Sequence, residues 1–337
     1  MRDFNNYSLR RHNTFGIDAR CARFVEFDTE DEIVAFCGDS FPQTPYIIIG
    51  GGSNLLLKGD YDGMVLRSAV NGIGRTDLEN GDVLLRCGSG EVWDHIVAMT
   101  VGDGLYGMEN MSLIPGDVGA SAVQNIGAYG VEVKDIIHKV EAVEISTGRR
   151  VSFTNADCQY AYRQSRFKGE WKNKYLITYV TYRLSRAFNP RLEYGNIRSR
   201  LAEKGIDNPT ASELRQTIIE IRREKLPDPE VTGNAGSFFV NPIVKKEKYL
   251  ELKERFGELP HYDIDDDYVK IPAGWMIDQC GWKGKSLGAA GVHDKQALVL
   301  VNRGGATGGD IINLYKAIYK DVKDKFGIEI SPEVNIV

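Results

Sequence analysis

The sequence predicts an α+β protein of two or three domains, and three observations carry that reading. Strand-like and helical patterns are mixed along 337 residues, a length that makes two or three domains of usual size. Hydrophobic residues make up 42% and charged residues 26%, the balance of a folded chain and not of a disordered one. Lys225-Leu226-Pro227-Asp228-Pro229 ends a long helical pattern with two prolines and marks a domain boundary.

In chain order, Ala22–Phe27 reads as a strand. Thr29 then caps a short helix with Glu32 in the reciprocal capping-box position, and Ile33, Val34 and Phe36 supply its apolar face. Pro45–Ile49 is a β-branched run that ends in three glycines, and the first unit closes near Arg67. Val83–Arg86 reads as a strand and Glu91–Val101 as a helix with Val92, Ile96 and Thr100 on one face. A glycine-dense segment over 102–130 follows, then strand-like runs at Val140–Ile145 and Tyr175–Leu184. Thr210 and Glu213 form a capping box for a helix to Lys225, with Leu214, Ile218 and Ile221 at helical spacing. Beyond the prolines come strands at Ser237–Val240 and Ala297–Val301, and helices at Lys245–Phe256, Ala273–Cys280 and Thr307–Phe326. Gly327 stops the last helix, and Ile328–Ile330 is expected as a short strand. Domains are expected at 1–67, 68–224 and 225–326, with 327–337 returning towards the functional site.

A net charge of −5 argues against a general nucleic-acid binder, so an anionic ligand must meet a local cluster of cations and backbone amides. No apolar run approaches the ~20 residues of a membrane span, and the polar N-terminus lacks the apolar stretch of a signal peptide. Five scattered cysteines without a CxxC pair fit reduced thiols in a cytoplasmic protein. Five histidines show no metal-ligand spacing, so no metal is expected.

Ile47–Leu57 reads IIIGGGSNLLL. A strand that ends in consecutive glycines lets bare backbone N–H groups approach a phosphate, and Ser53 and Asn54 add side-chain donors. The chain has no GxxxxGK[ST], and Leu55 stands where a dinucleotide fingerprint needs its third glycine. A tight turn between strands explains the glycines equally well. In the second glycine segment, Ser112–Ser121 runs into Gln124–Gly130 with little side-chain bulk. It suits backbone pressed against a flat ligand, or simply close chain packing.

Together these segments resemble UDP-N-acetylenolpyruvoylglucosamine reductases. Ten motifs occur in order: Asn13-Thr14-Phe15-Gly16, GGGSN at 50–54, IPGDVG at 114–119, QNIGAYG at 124–130, YRQSRFK at 162–168, KLPDP at 225–229, GNAGSFFVNP at 233–242, AGWMIDQCGWKG at 273–284, HDKQALVLVN at 293–302 and SPEV at 331–334. The resemblance implies a two-part FAD-binding fold of the vanillyl-alcohol-oxidase type, made by 1–67 and 68–224, and a C-terminal α+β substrate domain. It implies NADPH-dependent, FAD-mediated reduction of UDP-N-acetylglucosamine enolpyruvate to UDP-N-acetylmuramate in peptidoglycan precursor synthesis, in a cytoplasmic monomer. Related oxidases often carry a covalent flavin anchor beside the glycine run; no histidine lies between Ile47 and Lys58, so FAD is expected to be non-covalent. Gly51 stands where some members have Glu, and Tyr194-Gly195 resembles the tyrosine loop of the longer subtype. Other readings are a different FAD oxidoreductase on the same fold, or a flavin sensor without catalysis.

By the same resemblance Arg163, Ser237 and Glu333 are catalytic. Hydride addition leaves enolate character beside the substrate carboxylate, which calls for donors there and a proton on the correct face. Arg163 meets a carboxylate with two parallel donors, Ser237 is the proton donor, and Glu333 stabilises the enol as a neutral or proton-sharing group. Cofactor contacts are expected from Ile49, Gly50, Gly51, Gly52, Ser53, Asn54, Leu55, Ile114, Pro115, Gly116, Ser121, Asn125, Gly127, Ala128, Tyr129 and Arg222. Substrate contacts are expected from Tyr162, Tyr194, Lys225, Asn241, Tyr262 (with Lys270 a nearby alternative cation), Lys283 and Gln296.

Overall fold

The structure is a computed structural model and describes residues 1–39 and 41–337. Its contacts divide the chain into two compact units, each drawn from three segments. The first unit is Met1–Tyr7, Cys21–Gly51 and Asp62–Glu224; the second is Ser8–Arg20, Gly52–Tyr61 and Lys225–Val337.

The first unit has helices α1 (Glu30–Phe36), α2 (Trp93–Gly102), α3 (Val118–Gln124), α4 (Ile197–Glu203) and α5 (Ala211–Lys225, whose last residue falls in the second unit). One sheet has the strand order Arg2–Ser8, Arg20–Phe27, Tyr61–Ser68 and Tyr46–Ile49, the last two strands running parallel. Val25, Phe27, Met64 and Leu66 pack with Ile33 of α1 in one core. α1 starts as its sequence requires: the Thr29 side chain accepts the Glu32 N–H and Glu32 returns to the cap backbone. The second sheet is antiparallel, ordered Arg150–Thr154, Ile137–Glu144, Tyr175–Leu184, Val83–Gly88 and Ile73–Asp77. Its buried face meets Trp93, Ile96 and Val97 of α2 and Val118 and Ala122 of α3. The glycine-dense 102–130 stretch holds a short helix, in which Ala120 and Ala122 favour helical backbone and Val118 and Ala122 are buried in the core.

The second unit has α6 (Lys246–Phe256), α7 (Ala273–Gln279) and α8 (Gly308–Phe326). Asn234–Ser237, Val299–Asn302, Ala290–Val292 and Ser286–Leu287 form an antiparallel sheet, and α8 lies against it. Ile243–Lys245, Tyr268–Lys270 and Tyr262–Asp263 make a small second sheet. The expected strand Ile328–Ile330 is not one. Ile328 and Ile330 are buried and Glu329 is exposed, so the alternation reflects two-sided surroundings and not a ladder. The last strand is Asn335–Ile336, parallel to Leu55–Leu56. Ser237–Val240 is likewise displaced: the strand is Asn234–Ser237, and beyond it Phe239 makes only an isolated bridge to Pro332.

Four of the five cysteines are buried and none is in a disulfide. Burial pushes the Cys37 and Cys87 thiols up to about 12 and Cys158 up to about 11. Among the described residues no helix is long and apolar enough to cross a membrane, and no His/Cys/Asp/Glu group is placed to hold a metal.

α8 begins where the chain passes over Leu57. A β-carbon on Gly308 would lie 1.9 Å from the Leu57 carbonyl oxygen, whereas one on Gly309 would meet only the Thr307 hydroxyl at 3.5 Å. Gly308→Ala is expected to cost more than about 3 kcal/mol of unfolding free energy, and Gly309→Ala to be neutral or stabilising by up to about 1 kcal/mol. Urea denaturation of the pair measures the contrast; equal stabilities would refute the close approach.

Candidate functional site

The glycine loop is shared between the units: Ile49, Gly50 and Gly51 belong to the first, Gly52, Ser53, Asn54 and Leu55 to the second. In the first unit, a β-carbon on Gly51 would lie 3.0 Å from Asp117 Oδ1, and one on Gly50 would lie 3.2 Å from the Ala120 methyl. A side chain at position 51 would thus press on a carboxylate. Burial raises the Asp117 carboxyl, and Arg67, which bonds it at 3.2 Å and also holds Glu26, opposes the rise.

The second glycine segment carries three left-handed non-glycine residues: Leu113 (φ 58°), Asn125 (φ 47°) and Tyr129 (φ 49°). Such backbone costs of order 1 kcal/mol or more per residue and needs outside support. Leu113 has it: its N–H donates to Asp94 Oδ1 at 2.5 Å, and Arg215 of α5 grips the same carboxylate at 2.7 and 2.9 Å. Burial alone would raise the Asp94 carboxyl; Arg215 and the Leu113 N–H overcome it and hold the group below its ordinary range. This strut sets the entry to Ile114-Pro115-Gly116, and neither Asp94 nor Arg215 lies in a motif.

Asn125 ends α3. Its amide donates to the Ala161 carbonyl at 2.8 Å, and its Oδ1 accepts the Lys134 N–H at 3.1 Å. The Ser121 hydroxyl donates to Val118 O at 2.7 Å and pairs with the buried Tyr182 hydroxyl at 2.9 Å. Both side chains are thus occupied inside the fold, and so is their main chain: the Ser121 N–H donates to Asp117 O at 3.2 Å, the Asn125 N–H donates to Ser121 O, and the Asn125 carbonyl accepts from Arg163 at 3.3 Å. Arg222 differs. Its Nε is buried without a hydrogen-bond partner. Desolvation lowers its pKa and the neighbouring Tyr129 opposes that shift.

Arg163 also sits in this unit, left-handed at φ 56°. Its guanidinium donates to the carbonyls of Asn125 at 3.3 Å and Gly127 at 2.6 Å and lies 5.4 Å from the Tyr162 ring centroid. The QNIGAYG backbone therefore orients it. Tyr194 is exposed, and its Cβ would touch a β-carbon on Gly130 at 3.4 Å, so the Tyr194-Gly195 turn lies beside Gly127 to Gly130.

In the second unit the structure brings Ser237 and Glu333 onto neighbouring main chain. The Glu333 N–H donates to the Phe238 carbonyl at 2.7 Å, and Phe239 bridges Pro332. Asn54 of the glycine loop reaches the same place: its amide donates to the Glu333 carbonyl at 3.3 Å, and its carbonyl accepts the Asn335 N–H at 3.1 Å. Of the expected substrate residues, Asn241 and Gln296 meet at the start of α7. Asn241 Oδ1 accepts the Ala273 N–H at 2.9 Å, and Gln296 Oε1 lies 3.4 Å from a β-carbon position on Gly274. Tyr262 is exposed, paired with Lys270 across the small sheet, with the Lys270 ammonium 5.4 Å from its ring. Lys283 lies 3.5 Å from Asp278, and Lys225 is exposed at the end of α5.

Known proteins agree with this arrangement of parts. Residues 228–337 match the model of the UDP-N-acetylenolpyruvoylglucosamine reductase C-terminal domain, and residues 21–154 match an FAD binding domain. The chain is 52% identical over 331 residues to UDP-N-acetylenolpyruvoylglucosamine reductase of Bacteroides fragilis strain YCH46, covering 98% of this chain and 99% of that one. The chain belongs to the UDP-N-acetylenolpyruvoylglucosamine reductase family. The enzyme of that name from Chromobacterium violaceum is 46% identical, with 96% of each chain covered. The crystal structure of the reductase from Thermus caldophilus superposes with a TM-score of 0.67 at 20% identity, over 99% of this chain and 98% of that one, and so shares the fold. An α+β FAD-binding fold followed by the family's C-terminal domain is thus the architecture of the chain.

The Asp94 strut has a pH signature. A carboxyl held below its unfolded value contributes stability that is present above about pH 4 and is lost as pH falls through the folded value. Asp94→Asn is expected to cost about 1–3 kcal/mol at pH 7 and to lose less stability than the parent on going from pH 5 to pH 3. Urea titrations of both proteins across that range test it; parallel stability curves would remove the strut from the account.

Proposed function

We propose that the protein reduces UDP-N-acetylglucosamine enolpyruvate to UDP-N-acetylmuramate with NADPH as donor, through non-covalently bound FAD. The observation that carries the reading is the 2.7 Å bond from Glu333 N–H to Phe238 O, which sets the segments of two catalytic candidates side by side within the family's C-terminal domain.

The residues present fit an FAD. Gly50 and Gly51 offer backbone with no room for side chains, and the buried, unpartnered Nε of Arg222 calls for an acceptor that the protein does not supply. Ile49–Leu55 would hold the diphosphate. Ile114, Pro115, Gly116, Gly127, Ala128 and Tyr129 would line the isoalloxazine, with Ser121 and Asn125 shaping that lining beside the cofactor and Arg222 adding a cation. Bound there, FAD supplies the hydride carrier between NADPH and substrate.

The protein's own groups then handle charge and proton. Arg163 holds the substrate carboxylate with a guanidinium whose direction the QNIGAYG carbonyls set. Ser237 gives its hydroxyl proton to the carbon beside that carboxylate as the methylene carbon becomes a methyl. Glu333, protonated or sharing a proton, stabilises the enol without adding negative charge. Lys225 and Lys283 face the nucleotide diphosphate, Asn241 and Gln296 the sugar and its phosphates, and Tyr162, Tyr194 and Tyr262 pack on the ligand. The closing Tyr194 turn is that of the longer subtype. The working state is a cytoplasmic monomer.

Purified protein should be yellow and release its flavin in acid, and NADPH oxidation should depend on the enolpyruvyl nucleotide sugar. Ser237→Ala and Glu333→Gln should let NADPH bleach the flavin at the parental rate while slowing its substrate-driven reoxidation by about 10²–10⁴. Flavin bleaching without substrate-dependent turnover in the parent would mark a sensor, and parental turnover in Ser237→Ala would remove that serine from its role.

A further inference from the structure

Asn13-Thr14-Phe15-Gly16 has no part in the chemistry above, yet it joins the elements that carry it. Asn13 is buried and closes its own turn, donating to the Leu9 and Ile17 carbonyls and accepting the Ile17 N–H at 2.8 Å. That turn presents Thr14 between the glycine loop and the strand that opens at Asn234. On one side the Thr14 N–H donates to the Gly52 carbonyl at 3.2 Å. On the other its carbonyl accepts the Asn234 N–H at 3.0 Å, and its hydroxyl donates mainly to the Asn234 carbonyl at 2.6 Å, with the Gly52 carbonyl a longer second acceptor at 3.4 Å.

Asn234 opens the Ser237 strand and shapes it. Its amide donates to the Pro227 and Thr232 carbonyls, and its Oδ1 accepts the Gly236 N–H at 2.9 Å. The pairing register with Val299–Asn302 slips between Asn234 and Ser237, and Gly236 is left-handed at φ 69°. The direction of Ser237 therefore depends on how Asn234 is held. Phe15 adds a second grip. Its carbonyl accepts the Asn302 amide at 3.0 Å, and its ring meets Phe238, the residue after Ser237, edge-on at 6.4 Å between centroids.

We infer that Thr14 is a positioning residue: its hydroxyl fixes Asn234, and through the Gly236 turn it fixes the place from which Ser237 delivers its proton. The backbone bond to Gly52 ties that place to the glycine loop. The inference rests on Ser237 as proton donor. Removing the hydroxyl leaves the Thr14 N–H and its bond to Gly52 intact, so flavin binding and flavin reduction should survive while protonation of substrate should not.

The test measures the two half-reactions of the holoenzyme by rapid mixing, per bound flavin: bleaching by NADPH, then reoxidation by the enolpyruvyl nucleotide sugar without oxygen. In Thr14→Val, bleaching should stay within about twofold and reoxidation should fall about 10–100-fold, the scale of a small misplacement of a reacting group. Thr14→Ser keeps the hydroxyl and should restore reoxidation to within about threefold. Thr14→Val on a Ser237→Ala background should slow reoxidation no further. Thr14→Ala deletes the same hydroxyl with less crowding and stands in if Thr14→Val folds poorly. Parental reoxidation in both hydroxyl-free variants, with Ser237→Ala blocked, would overturn the inference while leaving Ser237 its role. Equal loss of both half-reactions would overturn it as well, because that is what a purely structural threonine gives. Parental turnover in Ser237→Ala would overturn both, since no donor would remain for Thr14 to place.

Discussion

In the second unit three stretches of backbone cross with room for a hydrogen atom and nothing larger. A β-carbon on Gly52 would lie 2.0 Å from the His12 carbonyl oxygen, one on Gly233 2.2 Å from that of Phe15, and one on Gly308 1.9 Å from that of Leu57. These crossings explain why the unit is drawn from three places in the chain. Residues 8–20 and 52–61 are gripped by the C-terminal part, and the glycine loop leaves Gly51 directly into that grip. From there Leu55–Leu56 pairs with Asn335–Ile336, so the segment that carries Glu333 docks on the exit of the loop and does not fray as chain ends usually do. The distance between 54 and 333 in sequence hides an adjacency that the backbone enforces.

The first unit solves a different problem. Leu113, Asn125, Tyr129 and Arg163 all hold left-handed backbone, each at a cost that must be offset locally. The offsets are visible: Asp94 and Arg215 at Leu113, the Ala161 carbonyl and Lys134 N–H at Asn125, the Lys168 ammonium on the Arg163 carbonyl at 3.0 Å. Strain here is gathered in one neighbourhood and braced from several elements, so the surrounding structure dictates the backbone's shape.

Much of this was legible in the sequence where the signal was local. Capping boxes at Thr29 and Thr210 mark helix starts that the structure reproduces, α8 starts from Thr307 as expected, and Gly327 is its left-handed stop. The strand-like run Tyr175–Leu184 is a strand over the same residues. The failures are non-local. Ile73–Asp77 is exposed along its length and so carries no alternation to read. Ile328–Ile330 alternates but has no partner strand, and the dipeptide Asn335–Ile336 is a strand only because Leu55–Leu56 is there. At the candidate site, the family resemblance singled out Arg163, Ser237 and Glu333 but not their supports. Asp94 and Arg215 are 121 residues apart and Thr14 and Asn234 are 220 apart, and nothing in either neighbourhood announces the contact.

The motifs themselves carry a meaning other than the one their residue types suggest. A Ser and an Asn beside a glycine run invite the reading of side chains aimed at a ligand. Yet the Ser121 hydroxyl faces Tyr182 in the core, and both polar atoms of the Asn125 side chain are bound to backbone of the fold. Asn suits position 125 because it tolerates left-handed backbone and can brace two neighbouring chain segments at once. The same logic governs Asn13, whose side chain does nothing but close its turn, and Asn234, whose side chain shapes the next one. In an acidic protein that must hold anionic ligands, recognition through main-chain N–H groups demands that the backbone be exact, and these asparagines are how the chain writes that shape into its sequence. The chemistry then needs few side chains of its own.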